Sequence, residues 1–367
     1  MLNHARALLG RGWRVSLAGY AENPLPPDLA GNPLAEVWDL SAGGAGRPRA
    51  WWRLARRLRN DGSWRLAIVQ NPPGFPALWA LPWRLRGREV VLDWHNVGAS
   101  LYALSRPRAT LRTKLYALCE RMAARRATVT WAVSHALARR VAPSAVVVID
   151  APSSVFLASA KVPQDRLEWW RRVLPGQLPP PAKAAWIVAP SSWGTDEDND
   201  AILRVARHWA ARAAEWGEAR PVVVIATGRG PGREAFASQA AALPEGPVSV
   251  RNVWLPPGEY PALLAAADAG LCLHRSSSGL DLPMKLADMR GAGLSALVLD
   301  YGPVLAETFV DGKNGRLFTD DAGLADCIRE IVTRSPGDAV LGETWEHRWN
   351  RILGPWCATL EAKGSHS

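Results

Sequence analysis

The sequence predicts an α/β protein built from two doubly wound domains. Short apolar, β-rich runs alternate with helical stretches along the chain. The runs are continuous in Val, Ile, Leu and Ala, as parallel strands covered on both faces require. The 367 residues suffice for about two domains of ordinary size.

In chain order, strands are expected at Val15–Ala18, Leu66–Val69, Val90–Asp93, Thr128–Val133 and Val146–Ile149. A second series follows at Ala185–Val188, Pro221–Ala226, Val248–Val253, Gly270–Leu273 and Ala296–Asp300. Helices fall between them. The clearest is expected after Thr195, with Asp196-Glu197-Asp198 as an acidic first turn suited to the positive helix end. Ile202, Leu203, Ala206, Trp209, Ala210 and Ala213 then form one apolar stripe. Pro-Gly-Gln-Leu-Pro-Pro-Pro at Pro175–Pro181 can form neither helix nor central strand, so the domain boundary is placed there. A second seam is expected near Pro336-Gly337, and Glu343–Leu360 reads as a terminal helix. Fixed short-period repeats, the mark of a solenoid, are not found.

A composition of 48% hydrophobic and 21% charged residues is that of a folded globular chain. The net charge of +10 is uneven. Residues 1–150 hold 22 basic and 9 acidic side chains, and the rest hold 22 and 25. The basic half suggests an anionic partner: phosphate, anionic lipid or nucleic acid. A solvated basic surface is the plainer reading. With no nucleic-acid motif in the chain, no nucleic-acid partner is expected. Cys119, Cys272, Cys327 and Cys357 form no CxxC pair, so neither a zinc site nor a disulfide framework is expected, and a reducing compartment fits. No apolar run reaches the ~18 residues of a transmembrane helix. The start, Met1-Leu2-Asn3-His4, lacks the apolar core of a signal peptide.

In open α/β sheets ligands bind beyond the carboxyl ends of strands. Four such ends are polar here. Asp93-Trp94-His95-Asn96 follows Val90-Val91-Leu92. Asp93 can orient His95, and His95 can act as a base or bind a hydroxyl. Both could equally be satisfied by backbone groups, and a metal site lacks a third ligand nearby. Ser191-Ser192-Trp193-Gly194-Thr195 can cradle a phosphate through hydroxyls and backbone N–H groups, or can simply cap a helix. Thr227-Gly228-Arg229-Gly230-Pro231-Gly232 combines glycines that let backbone approach a ligand with an arginine that pairs with phosphate. The most informative run is Leu273–Met289, with Ser276-Ser277-Ser278-Gly279-Leu280-Asp281-Leu282-Pro283-Met284-Lys285 at its centre. A helix starting at Pro283 puts Lys285 in its first turn, where its charge and the helix end would face a diphosphate together. Asp288 could then bond ribose hydroxyls.

These strings, in order, resemble one family. Gln70-Asn71-Pro72-Pro73-Gly74-Phe75-Pro76, Asp93-Trp94-His95-Asn96, Ser191-Ser192-Trp193 with Asp196-Glu197-Asp198, Thr227-Gly228-Arg229-Gly230-Pro231 and Leu273–Met289 are similar to the GT-B β-1,4-mannosyltransferases acting on chitobiosyl-diphosphodolichol. So are Glu259-Tyr260-Pro261, Asn314-Gly315 and the tryptophan-rich end Trp345–Trp356. The resemblance runs from about His4 to Trp356. It implies two Rossmann-like domains facing across a cleft: residues 1–175 on the acceptor side, joined by the terminal helix at 340–360, and residues 183–338 binding the nucleotide sugar. It implies GDP-mannose as donor, a lipid-diphosphate chitobiose acceptor, inversion to a β-1,4 link, and a place in lipid-linked oligosaccharide assembly for N-glycosylation. Ser192, Trp193, Gly228, Arg229, Gly230, Ser277, Ser278, Gly279, Asp281, Lys285 and Asp288 would line the donor side. His95 with Asp93 would be the catalytic pair. No cofactor beyond the donor substrate and no metal ligand is implied. Further implied partners are a membrane surface and other glycosyltransferases of the pathway, on a cytosolic membrane face, that of the endoplasmic reticulum in a eukaryote.

The chain departs from the family pattern where it opens on Asn3-His4-Ala5-Arg6-Ala7, the family's first helix, without the strand, glycine-rich loop and membrane helix expected before it. Ala151 stands where the family tends to carry arginine. A GT-B transferase with another lipid or glycan acceptor, and a truncated non-catalytic homologue, are the alternatives. The mixture of Phe75, Leu78, Trp79, Leu81 and Trp83 with Arg84–Arg88 suits a lipid interface, or else packs in the first domain's core.

Overall fold

The structure, a computed structural model, describes residues 1–20, 25–41, 47–72, 88–106, 108, 110–157, 166–174, 183–256, 258–333 and 342–364. The chain divides into two compact units, one of Met1–Ile149, Leu280–Leu282 and Glu346–Ser367, the other of Asp150–Gly279 and Pro283–Trp345. The Pro175–Pro181 boundary, the Pro336-Gly337 seam and the aromatic stretch from Phe75 through Gly87 lie outside the described residues.

The first unit opens with helix α1 (Leu2–Gly10), which buries His4, Ala5, Leu8 and Leu9 along one face. Strands β1 (Val15–Gly19) and β2 (Ala35–Asp39) pair in parallel. Helix α2 (Arg47–Asn60) follows. The main sheet takes β3 (Leu66–Asn71), β4 (Glu89–Trp94), β5 (Val129–Ala132) and β6 (Val146–Val147) in the order β3-β4-β5-β6, all parallel. Helices α3 (Gly98–Ser105) and α4 (Thr110–Arg126) lie between β4 and β5, and α5 (His135–Val141) follows β5. Leu92, Trp94, Ala132, Val133 and Leu137 centre one cluster of this unit's core.

The second unit begins with α6 (Arg166–Val173). Its parallel sheet holds β7 (Ala185–Pro190), β8 (Val222–Thr227), β9 (Val248–Val253), β10 (Ala269–Cys272), β11 (Ser295–Leu299) and β12 (Gly315–Phe318), in the order β12-β11-β10-β7-β8-β9. Every residue of β8 and β10 is buried, as their unbroken apolar sequences require when helices cover both faces. Helices α7 (Asp200–Ala211), α8 (Arg233–Ala241), α9 (Met284–Gly291) and α10 (Asp321–Thr333) connect the strands. Strand order reverses beside β7, which has β8 on one side and β10 on the other. Such a switch point opens a crevice beyond the strand ends, the usual ligand position in this architecture. Helices α11 (Trp345–Ile352) and α12 (Gly354–Gly364) end the chain.

The expected strands all form, with ends shifted by one or two residues. Strands β2 and β12 were not anticipated, being short segments that carry Glu36, Asp39 and Arg316 among few apolar residues. The helix placed after Thr195 starts only at Asp200, so Asp196-Glu197-Asp198 is not its first turn. Their backbone is engaged elsewhere: Glu197 bridges His274, the Asp198 N–H donates to Leu273 O, and Arg275 N–H donates to Asp196 O at 2.7 Å. The apolar stripe of α7 is buried through Trp209, whereas Ala213 is exposed beyond the helix end. The terminal helix is two helices, because Pro355 offers no N–H to continue the ladder of α11.

Candidate active site

In the first unit the polar residues gather at the carboxyl end of β4. Asp93 is buried, and its Oδ2 lies 2.9 Å from Nε2 of His95 and 3.3 Å from Nε2 of His4. An ionised carboxylate only accepts, so both imidazoles present an N–H to it. The assignment for His4 is fixed independently. The indole N–H of Trp349 on α11 points at His4 Nδ1 over 3.1 Å, and that nitrogen must therefore carry the lone pair. His4 also stacks on Trp131, with ring centroids 5.2 Å apart. Burial lowers the pKa of His4 against the pull of Asp93 and keeps the ring neutral. For Asp93, burial alone would raise the pKa, but the charge of His95 and the hydrogen bonds from both histidines outweigh it and hold the carboxyl well below its usual range. His95 is thus oriented by a buried anion, with a neutral second imidazole behind that anion.

The turn carrying His95 is tied down by a buried glutamate. Glu120 of α4 accepts from Asn71 Nδ2 at 2.7 Å, and from the backbone N–H groups of Gly98 at 2.7 Å and Ala99 at 3.1 Å. Asn71 in turn accepts the His95 N–H at its carbonyl, 2.9 Å away. Glu120 therefore supplies acceptors to the first turn of α3, whose start has no side-chain cap. Burial raises its pKa despite these donors. A Cβ on Gly98 would come within 2.7 Å of the Tyr116 ring and 2.8 Å of Glu120, so a larger residue there would push those two side chains aside.

In the second unit the ends of β7 and β10 are knotted together by Glu197. Its carboxylate accepts from the Ser191 hydroxyl, from Ser192 N–H at 2.9 Å and from Trp193 N–H at 3.2 Å, and it pairs with Lys285. Lys285, in the first turn of α9, also donates to Pro190 O at 2.9 Å. Burial would raise the Glu197 pKa, but the charge and hydrogen bond of Lys285, with the Ser191 and Ser192 donors, hold it below its ordinary value. Asp198 is likewise neutralised, by Arg275 at 2.6 Å and Arg204 at 3.1 Å. Glu197 and Asp198 are thus paired with cations and do not repel an anion as unpaired carboxylates would.

The structure gathers Ser192, Trp193, Gly228, Gly230 and Lys285 around this knot. The space a Cβ would need at Gly228 is filled by Ser191 O, and at Gly230 by Ser192 O. The two glycines let one strand-end loop lie against another. Trp193 adopts φ 56 and packs its buried ring on Phe236 at 4.9 Å. Arg229 lies over Trp254, its guanidinium 3.7 Å from the ring centroid. Gly279, at φ +70, closes a turn in which its N–H donates to Ser276 Oγ at 2.7 Å, and half-buried Ser277 and Ser278 lie inside that turn. Asp281 is buried and falls with the first unit, where its neighbour Leu280 accepts from Ser134 Oγ. Asp288 lies on α9 three residues beyond Lys285. Burial, and then the charge of Asp150, push its carboxyl up to about 7, with Lys285 opposing.

His4, Glu120 and Trp349 were missed as members of these clusters, Asn71 was named only for the resemblance, and Glu197 was read as part of a helix start. Glu120 left one trace, a lone acid among Leu118, Cys119 and Ala123 in the apolar spacing of a helix. Among the described residues no group of three His, Cys, Asp or Glu side chains could hold a metal ion.

Residues 1–152 match the glycosyl transferase 4-like domain family. The chain is 33% identical over 322 residues to the UDP-glycosyltransferase TURAN of Arabidopsis thaliana, covering 74% of this chain and 69% of the relative. It is 31% identical over 363 residues to the chitobiosyldiphosphodolichol beta-mannosyltransferase of Arthroderma benhamiae, covering 90% of this chain and 80% of that one. A glycosyltransferase structure from Rickettsia africae superposes with a TM-score of 0.60 over 98% of this chain and 93% of its own; at 11% identity it shows the fold alone. Two parallel-sheet units, polar strand ends at a topological switch point and this similarity agree: the chain is a glycosyltransferase of GT-B fold and belongs to the chitobiosyldiphosphodolichol beta-mannosyltransferase family.

Proposed function

We propose that the protein transfers mannose from GDP-mannose to a chitobiosyl-diphospho-lipid, forming a β-1,4 link with inversion, as a step of lipid-linked oligosaccharide assembly at a cytosolic membrane face. The observation that carries this reading is the knot of Lys285, Glu197 and the Ser191–Trp193 turn at the switch point of the second unit. It presents an ammonium in the first turn of a helix that follows the Ser277–Gly279 turn in sequence, and such an arrangement suits the diphosphate of a nucleotide sugar. Asp288 on the same helix suits a ribose hydroxyl, either as acceptor or, when protonated, as donor.

In the reaction the acceptor hydroxyl attacks the anomeric carbon, the bond to the diphosphate breaks, and GDP departs with the bonding pair. The hydroxyl proton needs a base. In its neutral form, with Nε2–H directed at Asp93, His95 holds on Nδ1 the lone pair that takes the proton, and the resulting imidazolium is stabilised by the adjacent buried carboxylate. Asp93 stays charged throughout, because two imidazole N–H groups already solvate it. Lys285 neutralises charge arising on the leaving diphosphate.

The test is turnover of GDP-mannose with a chitobiosyl-diphospho-lipid, following the trisaccharide, beside UDP-glucose and UDP-N-acetylglucosamine as donors. Trisaccharide from GDP-mannose alone supports the proposal. Turnover of a UDP-sugar alone would replace the donor, a reading kept open by the name of the Arabidopsis relative.

A further inference from the structure

Helix α4 carries an apolar line on its outside. Leu111, Leu115 and Leu118, spaced four and three residues apart on one helix face, are 79%, 56% and 46% exposed. Leu104, at the end of neighbouring α3, is 44% exposed. Leucines scattered singly over a surface need no explanation, but a line of them along one helix does.

The charges beside this line have one sign. Arg112 and Arg126 project on one side of it, Lys114, Arg121 and Arg125 on the other, and all five are exposed. The only acid on the helix is Glu120, which is turned inward and buried on Asn71, Gly98 and Ala99. Among the described residues none of the five cations enters an ion pair. A helix with an exposed leucine line between two rows of cations is complementary to one kind of surface, an anionic lipid interface, where leucines enter the acyl boundary and long basic side chains reach the phosphates.

We propose that α4 lies on an anionic membrane surface through Leu111, Leu115 and Leu118, and that this contact delivers the lipid-linked acceptor to His95. The second half rests on the function proposed above. The helix offers a direct mechanical link between the two. Its inner face holds Glu120, which ties down Asn71 and the turn carrying His95. Glu120 projects from the face of α4 opposite the leucine line, so the turn it ties down stands one helix thickness, ~10 Å, from the interface. A catalytic turn at that height suits an acceptor whose sugars stand on a diphosphate at the headgroup level. Helix α4 lies apart in sequence from the aromatic stretch at residues 75–83, so the two surfaces can be tested separately.

The experiment is flotation of the full chain with phosphatidylcholine vesicles, with and without phosphatidylserine, at low and raised salt. The chain is expected to float with the anionic vesicles and to be released by salt. The triple variant Leu111→Ser, Leu115→Ser, Leu118→Ser is expected to bind about tenfold more weakly. It should stay folded, with a melting temperature within a few degrees of wild type, and turn over a short-chain, water-soluble acceptor at the wild-type rate, because the three side chains lie at the surface. Replacing Arg112, Lys114 and Arg121 by Gln should lower anionic-vesicle binding and its salt dependence together. Equal flotation of the leucine variant and the wild type would overturn the proposal, as would failure of the folded wild type to float. A concentration-dependent dimer abolished by the leucine variant, without flotation, would assign the face to self-association instead. Flotation as described without any mannosyl transfer would leave the membrane contact standing and remove only the acceptor's place in it.

Discussion

The indole N–H of Trp349 donates to Nδ1 of His4 across 3.1 Å, and this one bond sets the proton arrangement of three residues. It fixes the His4 proton on Nε2, directs that proton at Asp93, and leaves the same carboxylate to orient His95. Trp349→Phe removes the donor and leaves His4 Nδ1 buried without it, so the protein should lose roughly 1–3 kcal/mol in chemical denaturation. His4 should then titrate at higher pH, visible in the imidazole proton resonances. An unchanged His4 titration would show that the bond does not set its protonation.

Replacing His95 by Asn or Asp93 by Asn should lower kcat by about 10²- to 10⁴-fold while GDP binding, followed by calorimetry, stays within about twofold, as expected when a base and its orienter are lost. A variant that instead raised KM with kcat intact would give His95 a sugar-binding role.

Lys285 and Glu197 form a pair in which the acid is almost completely covered. Lys285→Met should cost on the order of 3 kcal/mol of stability, because Glu197 is left charged in a buried place. Lys285→Met with Glu197→Gln should recover much of that loss yet still bind GDP weakly. Recovery of stability and GDP affinity together would separate Lys285 from the donor.

Three glycines should rank by their surroundings. Gly228→Ala and Gly230→Ala drive a Cβ into the carbonyls of Ser191 and Ser192 and should each cost upwards of about 3 kcal/mol with the donor loop displaced. Gly279→Ala faces open space and pays only for its positive φ, about 1–2 kcal/mol. Thermal melts of the three variants check the order.

Asp288 links stability to pH. Its folded-state value of about 7 lies above the ordinary 3.8, so the folded protein binds this proton more tightly than the unfolded chain. Its favourable contribution is complete below 3.8 and is lost as pH rises through about 7. Asp288→Asn should therefore raise the melting temperature at pH 8 relative to the wild type, with no such gain near pH 4. An equal effect at both values would mean that Asp288 does not titrate in this range.

The parallel strands were legible because each repeats a local signature: an unbroken Val, Ile, Leu or Ala run, seen in β4, β7, β8 and β11. Strands β2 and β12 were not, because short segments with charges at several positions lack it. The polar strand ends at Asp93–Asn96, Ser191–Trp193, Thr227–Gly230 and His274–Lys285 were legible for the same reason, as abrupt changes after apolar runs. The role of Glu197 was misread. An acid ahead of a helical stripe looks like a helix start, and nothing local shows that its backbone pairs with His274.

The two parallel-sheet units and the strand ends at which chemistry can occur follow from local sequence, since burial on both faces and polarity at a terminus are written within a few consecutive residues. The partners at those ends follow from the folded arrangement. Glu197 meets Lys285 across 88 positions, and His4 meets Trp349 across 345. Strand order and helix packing bring those atoms together, and the energy of a buried charge or hydrogen bond depends on the distance between them in space, which local sequence patterns do not encode.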